Sequence, residues 1–225
     1  MTSSTFNRQS TLAVIMGILV LGSIWGLSEV VLGGGLRIAK FPYSSGMLTG
    51  IGLGVMGLAL AMYRKPLMLL GIGAISVLVK FLVVPVLHVS VMCKANSALG
   101  VMMDAAALTL VAAMVQTTMS RSIHARMGYG AVAAIAAAVG FYFIGNRLAP
   151  CQYLLSFSPA GFMITEGLIW AAFSAVTVPL GYVIGERLTD VLPRLSTSMV
   201  PYYAVSSAIV VIAWVASAVA IAAGW

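Results

Sequence analysis

Five ionisable side chains lie inside long apolar runs of this chain of 225 residues. A charge at the depth of a bilayer is costly, so such a residue marks a functional site by default. Carboxylates, an ammonium group and an imidazole in that position can bind a polar solute or exchange a proton during transport. We therefore predict that these side chains contribute to a substrate site: Glu29, Lys80, His88, Asp104 and Glu166.

Trp25 stands four residues before Glu29, which places an aromatic ring beside a carboxylate on one face of a helix. This pair suits a cationic or aromatic solute, through stacking or cation–π attraction. We therefore include Trp25 among the substrate-binding residues. The alternative interpretation is a Trp anchored at the membrane interface beside a Glu at headgroup level.

Lys80 and His88 are eight residues apart, so both lie on roughly one face of a helix. Pro85 stands between them and should kink that helix, because it lacks a backbone N–H. A lysine near the middle of a span cannot easily extend to the interface, so we expect Lys80 to pair with Asp104 or Glu29. An ion pair that fixes helix packing without touching a ligand is the alternative.

The composition indicates which elements must position these groups. Apolar residues make up 61% of the chain, charged residues 8%, and the mean hydropathy is +1.08, whereas soluble domains carry roughly 25% charge. The apolar runs are long and do not alternate, which predicts helices rather than a barrel. We predict an all-α, polytopic transmembrane bundle of six to seven helices, with residues 1–225 as one membrane domain. The predicted helices are 11–32, 47–62, 67–91, 98–119, 129–148, 163–185 and 203–224.

Basic residues in the connecting segments predict the orientation of the bundle. With the N-terminus inside, the inner segments carry seven Lys and Arg residues and the outer segments four. This predicts a multi-pass protein of the cell (plasma) membrane with a cytoplasmic N-terminus. The segment 47–62 is short and glycine-rich, and the predicted orientation depends on its crossing the bilayer. The net charge of +7 is scattered through the loops, so we expect lipid rather than nucleic acid as the partner.

In this orientation four of the five ionisable residues lie in the outer half of the membrane, and Lys80 lies deeper. The outer segment 33–46 begins with three consecutive glycines and contains Arg37, Lys40 and Tyr43. Flexible loops of this kind close over binding sites. We therefore predict that these three residues belong to a lid.

Cys93 and Cys151 are the two cysteines of the chain, and both are predicted outside. An oxidising exterior would allow a disulfide between them, and two free thiols are the alternative. Together with His88, Glu29 and Asp104 they offer the side-chain types that bind metals. The sequence has no paired spacing such as Cys-x-x-Cys or His-x-x-x-His, so we predict no metal and no other cofactor.

Motifs of enzymes are missing from the sequence, including Gly-x-Ser-x-Gly, His-Glu-x-x-His and the Walker motif. A single histidine within the apolar runs also argues against a haem held by two histidines. We therefore expect that the protein is not an enzyme.

Near the start of the first helix the sequence reads Ala13-Val-Ile-Met-Gly17, with two small residues four positions apart. With the chain length and the outer segment 33–46, this pattern resembles the substrate-binding (S) subunits of energy-coupling-factor transporters. The resemblance implies a bundle of typically six helices that binds a vitamin or similar micronutrient near the outer surface. It also implies coupling, through Ala13 and Gly17, to separate ATPase and transmembrane subunits. Two features depart from the family, because Gly17 replaces an alanine and a seventh helix is predicted.

We therefore expect an uptake protein that binds a small polar or zwitterionic solute in an outward-facing pocket and is driven by a separate ATP-hydrolysing module. The first alternative is an ion- or proton-coupled secondary transporter or channel, in which Lys80, Asp104 and Glu166 titrate during the cycle. The second alternative is a non-catalytic membrane anchor or assembly subunit, whose buried charges pair with the helices of a partner.

Overall fold

The computed structural model describes residues 11–119, 122–195 and 199–225. Every regular element in these ranges is helical, and seven helical segments are long and apolar enough to cross a membrane. The predicted all-α polytopic bundle is therefore confirmed. In chain order the elements are α1 (Thr11–Ile38), α2 (Ser44–Tyr63), α3 (Met68–Lys80), α4 (Val83–Leu87), α5 (Met92–Met119), α6 (Ile123–Leu148), α7 (Gln152–Leu155), α8 (Pro159–Phe162), a π-helix (Met163–Gly167), α9 (Leu168–Leu195) and α10 (Met199–Ala222).

The glycine-rich segment 47–62 forms most of α2, which is 20 residues long and so meets the length that a span requires. Four other spans begin earlier than the sequence predicted, at Met92, Ile123, Pro159 and Met199. The segment 67–91 is divided into α3 and α4. Helix number and order therefore follow the prediction, and the differences lie at helix ends.

Successive spans run in opposite directions, so the bundle has two ends. We call the end that contains the connections 39–43, 88–91 and 149–158 the site end. The opposite end, which contains residues 64–67, is called the far end.

α2 and α9 make the most extensive helix contact of the bundle. They run parallel, since Gly46 lies against Ile169 and Gly50 against Phe173 one turn further along. A Cβ built on Gly181 would overlap the carbonyl oxygen of Gly54, so the two backbones touch. Small residues allow this approach in a bilayer, where association depends on van der Waals packing. This glycine seam fixes the position of α2, and with it the residues at the start of α2.

α1 and α3 also run parallel and pack closely through a glycine. A Cβ built on Gly26 would lie 2.5 Å from the Cβ of Val79, so no larger residue fits there without movement. Glu29 follows Gly26 by about one turn, and Lys80 follows Val79 directly. The close approach of α1 and α3 therefore brings these two residues to the same level of the bundle.

The third span is broken directly after Lys80, as Pro85 predicts. The ring of a proline clashes with the carbonyl four residues earlier, which here belongs to Phe81. That carbonyl accepts a hydrogen bond from the backbone N–H of Val84 at 2.9 Å, which is the tighter three-residue spacing. α4 follows the break and ends at Leu87, and the next residue, His88, has a left-handed backbone with φ 50°.

α1 continues through the three glycines at 33–35, where the sequence predicted a flexible lid. The helix ends at Ile38, so the connection to α2 contains only residues 39–43. A Cβ built on Gly34 would lie 2.7 Å from the carbonyl carbon of Trp225. The glycines are therefore explained by close packing against the C-terminal segment rather than by a need for flexibility.

Candidate functional site

Glu29 of α1 and Lys80 of α3 form an ion pair in the site half of the bundle. Lys80 Nζ lies 2.7 Å from Glu29 Oε2, and the Lys and Glu side chains are 11% and 6% exposed. Trp25 Nε1 donates to the second carboxylate oxygen, Glu29 Oε1, at 3.2 Å. Trp25 is fully buried, and its indole lies against Gly52 of α2. Of the two partners that the sequence offered for Lys80, the structure selects Glu29.

Asp104 of α5 lies behind this ion pair. Its side chain is buried, within electrostatic reach of Glu29 and Lys80, and hydrogen bonded to the side chain of Thr49. Among the described residues, Asp104 Oδ1 has no hydrogen-bond partner. A buried polar atom left unpaired costs ~1–3 kcal/mol, so its presence calls for an explanation other than stability.

A cavity of about 250 Å³ opens at the site end beside the ion pair. We call it the site cavity. Its volume lies near the lower limit of ligand pockets, which is roughly 300 Å³, so it suits a small solute. Trp225 contributes to the apolar part of its wall. The polar residues of the wall are Glu29, Arg37, Ser44, Ser45, Lys80, Lys94 and Ser97.

Glu166 belongs to a neighbouring cluster that Ser45 joins to the site cavity. Ser45 Oγ donates to Glu166 Oε2 at 2.5 Å, and Glu166 lies in the one-turn π-helix Met163–Gly167. Such π-turns are rare and occur frequently at functional sites. Tyr153 also hydrogen bonds to Glu166, and burial followed by the Glu166 carboxylate raises the pKa of the Tyr153 hydroxyl. This hydroxyl therefore stays protonated at neutral pH and donates to Glu166.

The six residues predicted to bind substrate fall into two groups. His88 stands apart, since it is exposed at the end of α4 and is not part of the cavity wall. The other five lie in the wall or directly behind it: Glu29 and Lys80 in the wall, and Trp25, Asp104 and Glu166 behind.

One of the three predicted lid residues lines the site cavity. Arg37 does so from the last turn of α1. Lys40 is exposed and has a left-handed backbone with φ 52°. Tyr43 is 49% exposed and packs edge-on against Phe41, with ring centroids 5.9 Å apart. Lys40 and Tyr43 lie in the short turn beside the cavity and are not part of its wall.

The predicted coupling residues lie in the far half of α1. Ala13 is half-buried, and Gly17 is buried. A Cβ built on Gly17 would lie 2.5 Å from the hydroxyl oxygen of Tyr63. Another helix could not pack directly on Gly17 unless Tyr63 moved. A coupling role for Ala13 and Gly17 stays a prediction.

The thiol of Cys151 is free, and its Sγ accepts a hydrogen bond from Asn96 Nδ2 at 2.8 Å. The side chain of Cys93 lies outside the described part of the structure, so the disulfide stays a prediction. Among the described residues, no group of three or more His, Cys, Asp or Glu side chains could hold a metal ion.

A second ion pair joins α6 and α9 in the far half. Arg126 contacts both carboxylate oxygens of Glu186, with Nη2 to Oε1 at 3.0 Å and Nη1 to Oε2 at 3.2 Å. The guanidinium carbon lies 4.0 Å from the centre of the Tyr182 ring. Arg126 is buried, whereas the Glu186 side chain is 47% exposed.

Sequence reasoning missed several residues of the cavity wall, namely Ser44, Ser45, Lys94, Ser97 and Trp225. Serines near helix starts are common, and Lys94 has the pattern of a charge that sets topology. Trp225 is distant in sequence from the other wall residues. The two cations near helix ends at the predicted outer face, Arg37 and Lys94, were the signal that could have indicated part of this wall.

Comparison with known proteins gives no further information about this site. No protein-family model, curated protein or solved structure matches the chain. The chain is a multi-pass helical membrane protein, and its function must be argued from the site cavity and the charges around it.

Proposed function

We propose that this protein takes up a small polar or zwitterionic solute, which binds in the site cavity. The observation that supports this proposal is the site cavity itself, which has an ion pair, two further cations and three serines in its wall. Charged groups are expensive within a membrane bundle and are expected to face a substrate path. The volume of about 250 Å³ suits a metabolite and is too small for a lipid.

The site cavity faces outward in the proposed orientation, in a cell (plasma) membrane. The excess of basic residues in the far-end segments supports a cytoplasmic far end and N-terminus. The site end then meets the exterior, as uptake requires.

The proposed energy source is a separate ATP-hydrolysing module with its own transmembrane subunit. Support for this part comes from the small residues at the start of α1 and the likeness to S subunits. Because Gly17 is covered by Tyr63, docking would use neighbouring exposed residues of α1, such as Leu12 and Ile15.

Native mass spectrometry of the purified protein tests the proposal. We expect a bound small molecule that Glu29→Gln releases, because this change removes one charge from the wall of the site cavity. Arg147→Gln is the matched control, since Arg147 is exposed at the same end and is not part of the wall. Failure to find any bound metabolite and any copurifying ATPase would count against uptake driven by a separate module.

A second candidate, ion- or proton-coupled transport by this chain alone, is favoured by a specific observation. Asp104 lies buried beside the ion pair of Glu29 and Lys80, and its Oδ1 has no partner among the described residues. Helices interrupted near Lys80 and at Glu166 are typical of coupled transporters, whose sites lie at such breaks.

Proteoliposomes that contain only this chain separate the two candidates. Solute uptake that follows an imposed proton or sodium gradient would support coupled transport. Uptake that requires ATP and a second protein would support the first candidate.

A further inference from the structure

A second cavity, of about 400 Å³, lies in the far half of the bundle between α1, α2, α9 and α10. We call it the far groove. Its wall extends over residues 17–24 of α1 and 202–209 of α10, and seven residue steps of a helix cover about 10 Å. The far groove is therefore elongated along the helices. Because transmembrane helices stand close to the bilayer normal, its long axis follows the direction of the surrounding acyl chains.

The wall of the far groove is mainly apolar, and it opens towards the bilayer. Aliphatic side chains from all four helices form most of it. Among them, Ile24, Leu188 and Val205 are 39%, 38% and 59% exposed, so an apolar molecule in the membrane can reach the wall. The volume lies within the range of ligand pockets, which is roughly 300–1,000 Å³. These properties favour an apolar chain over a polar solute.

The end of the far groove that lies nearest the membrane surface is polar. Tyr63 ends α2 and Tyr202 lies near the start of α10, and their side chains are hydrogen bonded to each other. Tyrosines with an apolar ring and a polar tip are typical of the membrane–water interface. Lys65 stands two residues after Tyr63, Arg187 stands directly before Leu188, and both cations are exposed. The apolar groove thus ends beside cations at headgroup level.

We propose that the far groove binds one acyl chain of an anionic phospholipid, whose headgroup lies at Lys65 and Arg187. Basic residues near a membrane surface attract anionic lipids by about 1 kcal/mol each. A molecule with an apolar chain and an anionic head matches both parts of this surface. An apolar helix of a partner would fill the wall but would not match the cations at its end. This site is separate from the site cavity and does not depend on the proposed uptake.

Native mass spectrometry tests this lipid site. The purified protein is reconstituted in nanodiscs with equal amounts of phosphatidylcholine, which is zwitterionic, and phosphatidylglycerol, which is anionic. After release into detergent, the bound lipids are identified and counted by mass. We expect one retained phospholipid per protein. Phosphatidylglycerol should be preferred at least about tenfold, since two cations contribute about 1 kcal/mol each.

Two tryptophan variants separate the far groove from the rest of the lipid-facing surface. Val205→Trp places a large side chain in the wall, so we expect the retained phospholipid to be lost. Val215→Trp is the matched control, because Val215 lies on the same helix, is 57% exposed and is not part of the wall. This control should retain the lipid as the unaltered protein does. Thermal unfolding in detergent shows whether each variant is folded.

A double variant tests the position of the headgroup. Lys65→Gln/Arg187→Gln leaves the apolar wall in place, so it should still retain a phospholipid. Its preference for phosphatidylglycerol should fall to within about twofold, because the two cations that attract the anionic headgroup are gone. This measurement decides the outcome if Val205→Trp does not fold.

Four results would overturn the lipid site. The first is that the unaltered protein retains no phospholipid. The second is equal retention in the two folded tryptophan variants. The third is a preference for phosphatidylglycerol that is absent from the unaltered protein or unchanged in the double variant. The fourth is a copurifying protein, in place of a lipid, that Val205→Trp releases, because the far groove would then bind a helix of a partner.

Discussion

Two ion pairs in the described part of the bundle, Glu29–Lys80 and Arg126–Glu186, differ in burial and in hydrogen bonding. Arg126 and Glu186 meet through two hydrogen bonds, and Glu186 remains 47% exposed, so water hydrates it. Glu29 and Lys80 meet at one carboxylate oxygen, and both side chains are nearly buried. Asp104 adds a second buried acidic group within electrostatic reach of the same lysine. We call Arg126–Glu186 the far pair and Glu29–Lys80 the site pair. The far pair is explained by its role in holding α6 against α9. The site pair and Asp104 place more buried charge together than helix packing requires, and they lie beside a cavity, as in a binding site.

Removal of one cation from each pair should give the largest contrast. Lys80→Met leaves Glu29 buried without its partner, and breaking a buried pair costs about 3–5 kcal/mol. Arg126→Met leaves Glu186 in contact with water, so we expect a loss of about 1 kcal/mol. Thermal unfolding in detergent measures the difference. Equal losses of stability would contradict the contrast between the two pairs.

The glycine seam offers a perturbation of structure that leaves the charges in place. Gly181→Ala should destabilise the protein by about 1–3 kcal/mol or more, because the added methyl group overlaps Gly54. Gly128→Ala is the control, since a Cβ there meets nothing within 4 Å. We expect the Gly181 variant that remains folded to bind solute with normal specificity. A change of preferred solute would show that the seam takes part in recognition.

Uptake should depend on an acidic group in the site half more than on one in the far half. Asp104→Asn is expected to reduce solute uptake about tenfold, since hydrogen bonds of charged groups contribute ~1.5–3 kcal/mol. Glu186→Gln should have a smaller effect, because that carboxylate is half-exposed and remote from the cavity. Initial rates in cells, corrected for protein amount, measure both. Equal reductions would refute the assignment of Asp104 to the site.

His88 should show the smallest effect in the site half. His88 is exposed and is not part of the cavity wall. For His88→Ala we therefore expect an uptake rate within about twofold of that of the unaltered protein, and a free energy of unfolding within about 0.5 kcal/mol. Uptake assays over the same range of solute concentration measure this. A loss of uptake as large as that expected for Asp104→Asn would show that His88 contributes to the site.

The sequence alone predicts the helical bundle, because length and hydropathy decide which segments can span a bilayer. Five of the six residues that the sequence predicts to bind substrate lie in the wall of the site cavity or directly behind it. Ionisable residues inside apolar runs are conspicuous because of their cost in lipid, and their role in substrate binding stays a prediction. The sequence could not choose Glu29 over Asp104 as the partner of Lys80. That choice depends on the register between α1 and α3, which close packing at Gly26 sets.

The remaining differences also arise from contacts between distant residues. The glycines at 33–35 are typical of a flexible loop, but packing of Trp225 against Gly34 accounts for them within a helix. Lys94 and Ser45 have ordinary local patterns and acquire importance only because the fold places them around one cavity. Such residues carry no periodic signal in the sequence.

The most direct test of the account compares solute affinity in two matched double variants. Glu29→Gln/Lys80→Gln removes the site pair and leaves no unpaired charge from that pair, and Arg126→Gln/Glu186→Gln does the same for the far pair. Isothermal titration with the compound identified by mass spectrometry should show a loss of at least about tenfold in the first variant and little change in the second. Equal affinities in the two folded variants, or a greater loss in the second, would contradict the claim that the site cavity binds the solute.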